Sequence, residues 1–270
     1  MSHLPNLMPI SSNSWGPFDS GVGLDKAGPL TLAAFANATA NGRDGKGTIF
    51  VWAGGNGGAR SDNSNYDGYA NLIHTIAVGA VDSSGNRSFY SEPGANLVIT
   101  APSNGAALGI TTTDLTGANG YNNSAGVPGD YTNDFGGTSS ATPAVSGIIA
   151  LMLQANPDLG WRDVQAILIR SAKKIKPSDP DWVDNAAGLH FNHNFGPGLI
   201  DAAAAVDLAT TWTNLGQQTE LSSNKPGLSQ AIPNNNSTGT EILFDLPASN
   251  IIMEHATVRL TIDHTARGDL

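Results

Sequence analysis

The 270-residue sequence contains no cysteine. Disulfides and thiolate-bound metal sites are therefore excluded, although this absence does not decide the compartment in which the protein works. Basic residues are also scarce, with 13 Lys and Arg against 23 Asp and Glu and a net charge of −10. This charge argues against nucleic acid as a partner and favours basic peptides.

Long apolar runs are missing as well. No stretch approaches the length of a membrane span, and residues 1–10 lack the charged and apolar regions of a signal peptide. Charged residues make up only 13% of the chain, whereas Gly (32) and Pro (15) are frequent. The composition indicates a loop-rich, folded body, and the length permits one large domain or two smaller ones.

Apolar runs and turn signals alternate over the first 212 residues. The pattern predicts a strand ending at Ser11–Pro17, strands at Thr48–Ala53, Thr75–Val81 and Asn96–Ala101, helices at Leu30–Ala40, Ala144–Ala155, Gly160–Ala172 and Asp201–Leu208, and a loop at Thr116–Asp134. The strand Thr48–Ala53 is apolar on both faces and follows a helix, which is typical of a buried parallel sheet. We therefore predict an α/β fold with ligands at the carboxyl ends of the strands.

The composition changes after Trp212. Residues 213–240 are polar and read as a linker, whereas Ile242–Phe244 and Ala256–Ile262 are short β runs. We interpret residues 241–270 as the beginning of a β domain, because two or three strands are too few for an independently stable sheet.

Residues Gly136–Pro143 (GGTSSATP) directly precede the apolar helical run from Ala144. A serine between small residues just before a helix can present its hydroxyl at the positive helix end, as a nucleophile requires. The same letters also describe a Ser or Thr helix cap with Pro143 in the first turn.

The order Gly-Thr-Ser-x-Ala-x-Pro resembles the nucleophile motif of subtilisin-like serine proteases, with Ser139 in the nucleophile's place. Further segments resemble the kexin/furin branch, the proprotein convertases: Ser14–Pro17, Val51–Ala53, Gly55–Gly58, Asp67–Tyr69, Tyr90–Glu92, Ala155–Pro157 and Trp161–Asp163. Glu254–Ala256 and Arg267–Leu270 are similar to the opening of that branch's P domain. The resemblance implies a partial parallel-sheet, three-layer catalytic domain over 1–212 and a truncated β-sandwich, or jelly-roll, P domain over 241–270.

The resemblance makes Asn56 the oxyanion-hole asparagine, whose amide would donate to the oxygen that becomes negative as Ser139 attacks. The alternative is an ordinary turn asparagine among glycines. Gly54 stands where these enzymes commonly have serine, a mild departure.

Substrate binding is assigned by the same resemblance to Ser14, Trp15 and Gly16, with Asp19 and Asp67 at the base of a pocket for Arg or Lys. A guanidinium that enters a partly dry pocket needs an opposite charge, because desolvation would otherwise prevent binding. The expected partners are polypeptides with Arg or Lys before the scissile bond.

The resemblance also implies a calcium site with Asp19, Asp62 and Glu92 as ligands. Calcium prefers several oxygen ligands, and crowded acids repel one another without a cation. The alternative is three solvated surface acids, which are usual in loops rich in Gly and Asn. Ser64 and Tyr66 stand where the furin branch has cysteines.

The triad histidine and aspartate have no counterpart in these residues. The histidine should precede Asn56, yet only His3 does so, and it is followed by Leu4-Pro5 where the family motif has Gly-Thr. A serine without its base is a weak nucleophile, so we expect the 270 residues alone to be inactive, as a piece of a longer protein truncated at both ends.

Two classes of function remain open. The first is a serine endopeptidase that cleaves after basic residues and is secreted or periplasmic. The second is a non-catalytic, subtilase-like binding or structural module. Ser139, Asn56 and the acidic pocket favour the first, and the coding sequence upstream of Met1 would decide between them.

Overall fold

The computed structural model describes residues 4–236, 238–247 and 249–263. The continuous apolar runs form a parallel sheet in which β1 (Ile10–Asn13), β2 (Ile49–Ala53), β3 (Thr75–Val81) and β4 (Leu97–Pro102) lie side by side in chain order. Every residue of β2 and β3 is buried. Such strands need helices on both faces.

The two faces of the sheet bury different helices. Phe50 and Trp52 of β2 pack with Phe35 of α1 (Pro29–Gly45), whereas Ile49 and Val51 point to the opposite cluster. That second cluster contains residues of α2 (Thr138–Ala155), α3 (Trp161–Ser171) and α4 (Ala202–Thr210). Side chains alternate along a strand, so one short strand serves both clusters. The predicted α/β fold with three layers is confirmed.

Most of the predicted elements lie within a few residues of the observed ones, but α2 does not. This helix begins at Thr138, six residues before the predicted start at Ala144. Its N-cap is Gly137, and Pro143 is the sixth helical residue. The interpretation as a Ser or Thr cap with Pro143 in the first turn is therefore wrong, because contacts with neighbouring loops fix the helix start.

The predicted loop at Thr116–Asp134 is wrong at its end. Tyr131–Phe135 forms strand β6, which pairs antiparallel with β5 (Ile110–Thr113). The residues of β6 are mostly polar and exposed, so its sequence lacks the alternation of apolar and polar residues that predicts a strand. A second short antiparallel pair joins β7 (Val183–Asp184) and β8 (His190–Phe191).

Residues 216–270 form a separate compact unit from residues 1–215. Its described part contains no helix or strand, so the strands predicted at Ile242–Phe244 and Ala256–Ile262 are wrong. These runs are largely exposed, and a strand needs a paired neighbour to persist. The tail motif Arg267–Leu270 lies outside the described residues. The linker at 213–240 and the P-domain start at 241–270 stay predictions.

Among the described residues, no helix combines the length and the apolar content that a membrane span requires.

Candidate active site

The candidate site is built from segments that follow the carboxyl ends of the parallel strands. Ser14 comes directly after β1, Asn56 follows β2 by three residues, and Ser103 comes directly after β4. Because parallel strands end at the same edge of a sheet, these side chains meet there. The start of α2 brings Ser139 to the same edge, since Ser139 contacts Ser14.

Ser139 is the second residue of α2 and is half-buried. The chain reaches it through Gly137, whose φ of 74° lies in the left-handed region that favours glycine. The Ser139 hydroxyl lies 3.4 Å from the Ser14 carbonyl oxygen. No histidine within the described ranges is hydrogen-bonded to Ser139, and His3 lies outside those ranges.

Asn56 is held by the residue that precedes the serine. Its Oδ1 accepts from the Thr138 N–H at 2.8 Å and from the Thr138 hydroxyl at 3.0 Å. Because two donors fix Oδ1, the Nδ2 group is the end of the amide left to donate. The Asn56 N–H donates to Asp19 Oδ1 at 3.0 Å, so its main chain is anchored too. A donor held in a fixed direction is a general requirement of an oxyanion site.

A proline in α2 explains how Ser14 meets Ser139. Pro143 has no N–H, so it cannot make the helix bond to the carbonyl four residues earlier, which is that of Ser139. The Ser14 hydroxyl donates to this carbonyl at 3.0 Å. A residue after β1 thus replaces a missing bond inside the helix that carries the serine.

Trp15 continues the same segment over an aromatic cluster. Its ring, which is half-exposed, lies 4.7 Å from the Trp52 ring and 5.0 Å from the Tyr69 ring, both at steep angles. Such edge-to-face contacts anchor an otherwise exposed indole. Gly16 is exposed, with open space where a side chain would be.

Four carboxyl groups gather beside Asn56, and we call Asp19, Asp62, Asp67 and Glu92 the acidic cluster. One oxygen each of Asp19, Asp67 and Glu92 lies within 4.8 Å of the other two. Asp62 is outside that tight set, and its carboxylate accepts from the Gly21 N–H at 2.7 Å and from the Asn63 N–H at 3.0 Å. It still faces Glu92, whose pKa it helps to raise.

Glu92 is fully buried in the acidic cluster. A Cβ at Gly55 would lie 2.4 Å from its carboxyl carbon, and a Cβ at Gly57 would lie 2.9 Å from its Oε1, so both glycines make room for it. Oε1 accepts from the Gly57 N–H at 2.9 Å, but Oε2 has no hydrogen-bond partner among the described residues. Burial, followed by the charges of Asp67, Asp62 and Asp19, raises the pKa of Glu92 to about 8.

Some contributors were not predicted from the sequence. Thr138 orients Asn56, and Tyr90, Ser103 and Asn104 contact the turn before Ser139. Tyr90 belongs to a motif that carries the family resemblance, but its letters do not show which turn its hydroxyl would reach. Asp67 was predicted for the substrate pocket, and the structure also places it against Glu92.

A hydroxyl at a helix start with an oriented amide nearby is an arrangement suited to attack on a carbonyl, and here Thr138, which precedes Ser139, orients the Asn56 amide. Such an arrangement is typical of serine hydrolases. The model of the Subtilase family, Peptidase_S8, matches residues 1–198. The chain belongs to this family.

The relatives narrow the family to its kexin/furin branch and confirm the resemblance. A dibasic-processing endoprotease of Yarrowia lipolytica is 40% identical over 264 residues, which cover 96% of this chain and 26% of the relative. Human proprotein convertase subtilisin/kexin type 4 is 38% identical over 277 residues, covering 100% of this chain and 35% of the relative. The chain thus spans about a quarter to a third of the length of these relatives.

Solved structures agree on the fold. The serine protease of Aeromonas sobria, in complex with its chaperone, superposes with a TM-score of 0.71 at 26% identity. The match covers 81% of this chain and 46% of the protease. The fold is therefore that of a subtilisin-like domain.

The bond that replaces the helix bond lost at Pro143 can be tested by a double-mutant cycle. Ser14→Ala should lower the free energy of unfolding by about 1 kcal/mol, because the Ser139 carbonyl loses its donor. Pro143→Ala restores an N–H that can donate to this carbonyl, so Ser14→Ala should cost clearly less in that background. Urea unfolding of the four proteins measures the coupling.

Ser12→Ala is the matched control for this cycle. Ser12 also joins β1 to α2, through a 2.9 Å contact with the Ser146 hydroxyl that does not involve the Ser139 carbonyl. Its effect should add to that of Pro143→Ala. If the effects of Ser14→Ala and Pro143→Ala on the free energy of unfolding were also additive, Ser14 would not be replacing the helix bond that is lost at Pro143.

Proposed function

We propose that the chain carries the nucleophile, the oxyanion donor and the specificity pocket of a serine endopeptidase that cleaves after Arg or Lys. The main support is the 3.0 Å hydrogen bond from the Asn56 N–H to Asp19. This bond places the Asp19 carboxylate beside Asn56, the residue that would donate to the oxyanion. A basic side chain bound by Asp19 and Asp67 would therefore lie next to the carbonyl that Ser139 attacks.

Each residue has a distinct role in this proposal. Ser139 forms the bond to the scissile carbonyl carbon, and Asn56 Nδ2 donates to its oxygen as the negative charge develops. Ser14, Trp15 and Gly16 bind the substrate chain beside the pocket. The proton of Ser139 needs a base, which the triad histidine and aspartate supply in this family. We assign the activity to a protein that joins this chain to such a histidine and aspartate, which we call the complete protein, and we expect that protein to be secreted or periplasmic.

The names of the relatives support a basic substrate. A dibasic-processing endoprotease is among the proteins that the chain resembles over nearly its whole length. Asp67 is buried, Asp19 is half-buried, and the pair has oxygens within 4.8 Å. Two partly desolvated carboxylates favour a cationic side chain over an apolar one, because an apolar group cannot offset their negative charge.

Specificity is tested by replacing Asp19 and Asp67 with Asn together in the complete protein. We expect kcat/KM on peptides with Arg before the scissile bond to fall at least about 30-fold, since one partner of a desolvated charge pair is lost. Peptides with Leu at that position should lose much less. The matched control is Asp207→Asn, an exposed acid of α4.

Equal losses on Arg and Leu peptides would contradict a pocket that recognises charge. If the complete wild-type protein shows no peptide turnover that is lost in Ser139→Ala, the result would instead favour the non-catalytic binding module.

We further propose that the acidic cluster binds Ca²⁺ through Asp19, Asp62 and Glu92, with a structural role. The fit rests on the oxygen-only donor set and on the unpartnered, buried Glu92 Oε2. Calcium–oxygen distances of about 2.3–2.6 Å place opposite ligands roughly 5 Å apart. Oxygens of Asp19, Asp67 and Glu92 lie within 4.8 Å of one another, a grouping that supports Asp19 and Glu92 as ligands but does not include Asp62. Asp67 belongs to that grouping, so Asp62→Asn and Asp67→Asn will show by calorimetric Ca²⁺ titration which carboxylate contributes.

The pKa of Glu92 gives a prediction for chain stability. In EDTA, ionisation of Glu92 is opposed in the folded state, where its pKa is about 8, but not in the unfolded state, where the ordinary value is 4.5. The stability that the protonated group contributes is complete below pH 4.5 and is lost as the pH rises through about 8. At about 1.4 kcal/mol per pKa unit, the loss is on the order of several kcal/mol. Thermal unfolding in EDTA from pH 4.5 to 8.5 measures it.

Glu92→Gln should flatten this pH dependence and should also remove most of the stabilisation that Ca²⁺ gives at pH 8. Glu220→Gln, at an exposed position, is the matched control and should behave like the wild type. The predicted role of Glu92 in the pH dependence is wrong if the stability of Glu92→Gln in EDTA falls with pH as steeply as that of the wild type. The calcium site is wrong if Ca²⁺ does not raise the melting temperature of the wild type at any pH in this range.

A further inference from the structure

The turn that carries the proposed nucleophile lacks an ordinary helix cap. An N-cap side chain normally accepts from the first helical N–H groups, but Gly137 has no side chain, and its φ of 74° favours glycine there. The Gly137 carbonyl accepts from the Ser140 N–H at 3.1 Å, as in an ordinary helix start, but the Gly137 N–H needs a partner from another part of the chain.

Side chains from two other segments, and one from α2 itself, hydrogen-bond to Gly137. The Gly137 N–H donates to the Tyr90 hydroxyl at 3.1 Å and to Asn104 Oδ1 at 3.2 Å. The Gly137 carbonyl accepts from the Ser103 hydroxyl at 2.8 Å and from the Ser140 hydroxyl at 3.2 Å. Both polar groups of this one residue are thus held by hydroxyl and amide groups.

The partners are also bound to one another. The Tyr90 hydroxyl lies 2.6 Å from Asn104 Oδ1 and 2.8 Å from the Ser103 hydroxyl, which lies 2.7 Å from that of Ser140. Tyr90, Ser103 and Ser140 are buried. Asn104 also packs against Gly136, the residue before Gly137. A Cβ at Gly136 would lie 2.0 Å from the Asn104 Cγ, so no side chain fits there. A buried network of this kind holds a single geometry, because a broken link leaves a desolvated polar group.

We propose that Tyr90, Ser103 and Asn104 form an external cap that fixes the turn before Ser139, and that the Tyr90 hydroxyl is a positioning residue for that serine. Only Thr138 separates Gly137 from Ser139, so movement of the turn moves the hydroxyl relative to Asn56. A displacement of about 1 Å can cost on the order of 100-fold in rate. The catalytic part of this inference rests on the proposed endopeptidase function.

The test uses Tyr90→Phe, which removes one hydroxyl and keeps the ring. Tyr121→Phe is the matched control, because that side chain is 93% exposed. In the 270-residue chain, amide hydrogen exchange at Gly137 should become at least about tenfold faster in Tyr90→Phe and stay unchanged in Tyr121→Phe. Ser103→Ala, which breaks the same network at another point, should have a similar effect if Tyr90→Phe does not fold.

The complete protein supplies a second readout. Tyr90→Phe should lower kcat about 10- to 100-fold with little change in KM for an Arg peptide, since the substrate pocket is untouched. Unchanged exchange at Gly137 would overturn the external cap. Faster exchange with wild-type kcat would overturn the positioning role. An inactive wild-type protein would count against the proposed function and end the positioning role, whereas the exchange measurement still decides the cap.

Discussion

The site depends on the hydrogen bonds that Thr138 donates to the side-chain oxygen of Asn56. Two donors from one residue, the main-chain N–H at 2.8 Å and the hydroxyl at 3.0 Å, join the loop after β2 to the first residue of α2. They bridge 82 residues of sequence. Because they occupy Oδ1, they orient the amide, and because Thr138 precedes Ser139, they also set the distance between the donor and the proposed nucleophile.

The parallel sheet makes this convergence possible. Four strands in chain order end at one edge, and each following loop delivers a different group: Ser14 after β1, Asn56 after β2, Glu92 between β3 and β4, and Ser103 after β4. Tyr90 and Glu92 are separated only by Ser91, so one short segment reaches both the Gly137 turn and the acidic cluster. The glycines at 55 and 57 let the buried carboxyl of Glu92 approach the main chain. The acidic cluster is therefore a neighbour of Asn56.

Much of this could be predicted from the sequence because it depends on local pattern or on order along the chain. The apolar runs of β2 and β3 specify a buried strand by composition alone, and the Gly-Thr-Ser segment specifies the position of Ser139. The start of α2 could not be predicted, because Gly137 is held by Tyr90 and Asn104, which are distant in sequence. Strand β6 was not predicted because its residues are mostly polar and form a strand only by pairing with β5. The choice between Asp62 and Asp67 beside Glu92 depends on loop geometry that spacing does not encode.

The central claim is that the geometry around Thr138 makes Asn56 the oxyanion donor for Ser139. The most direct measurement is the steady-state kinetics of Asn56→Ala in the complete protein on an Arg peptide. The account predicts that kcat falls by about 100- to 1,000-fold with KM nearly unchanged, the cost known for removal of this donor in subtilisin, a related enzyme. A variant that keeps wild-type kcat, or that loses only affinity, would contradict it.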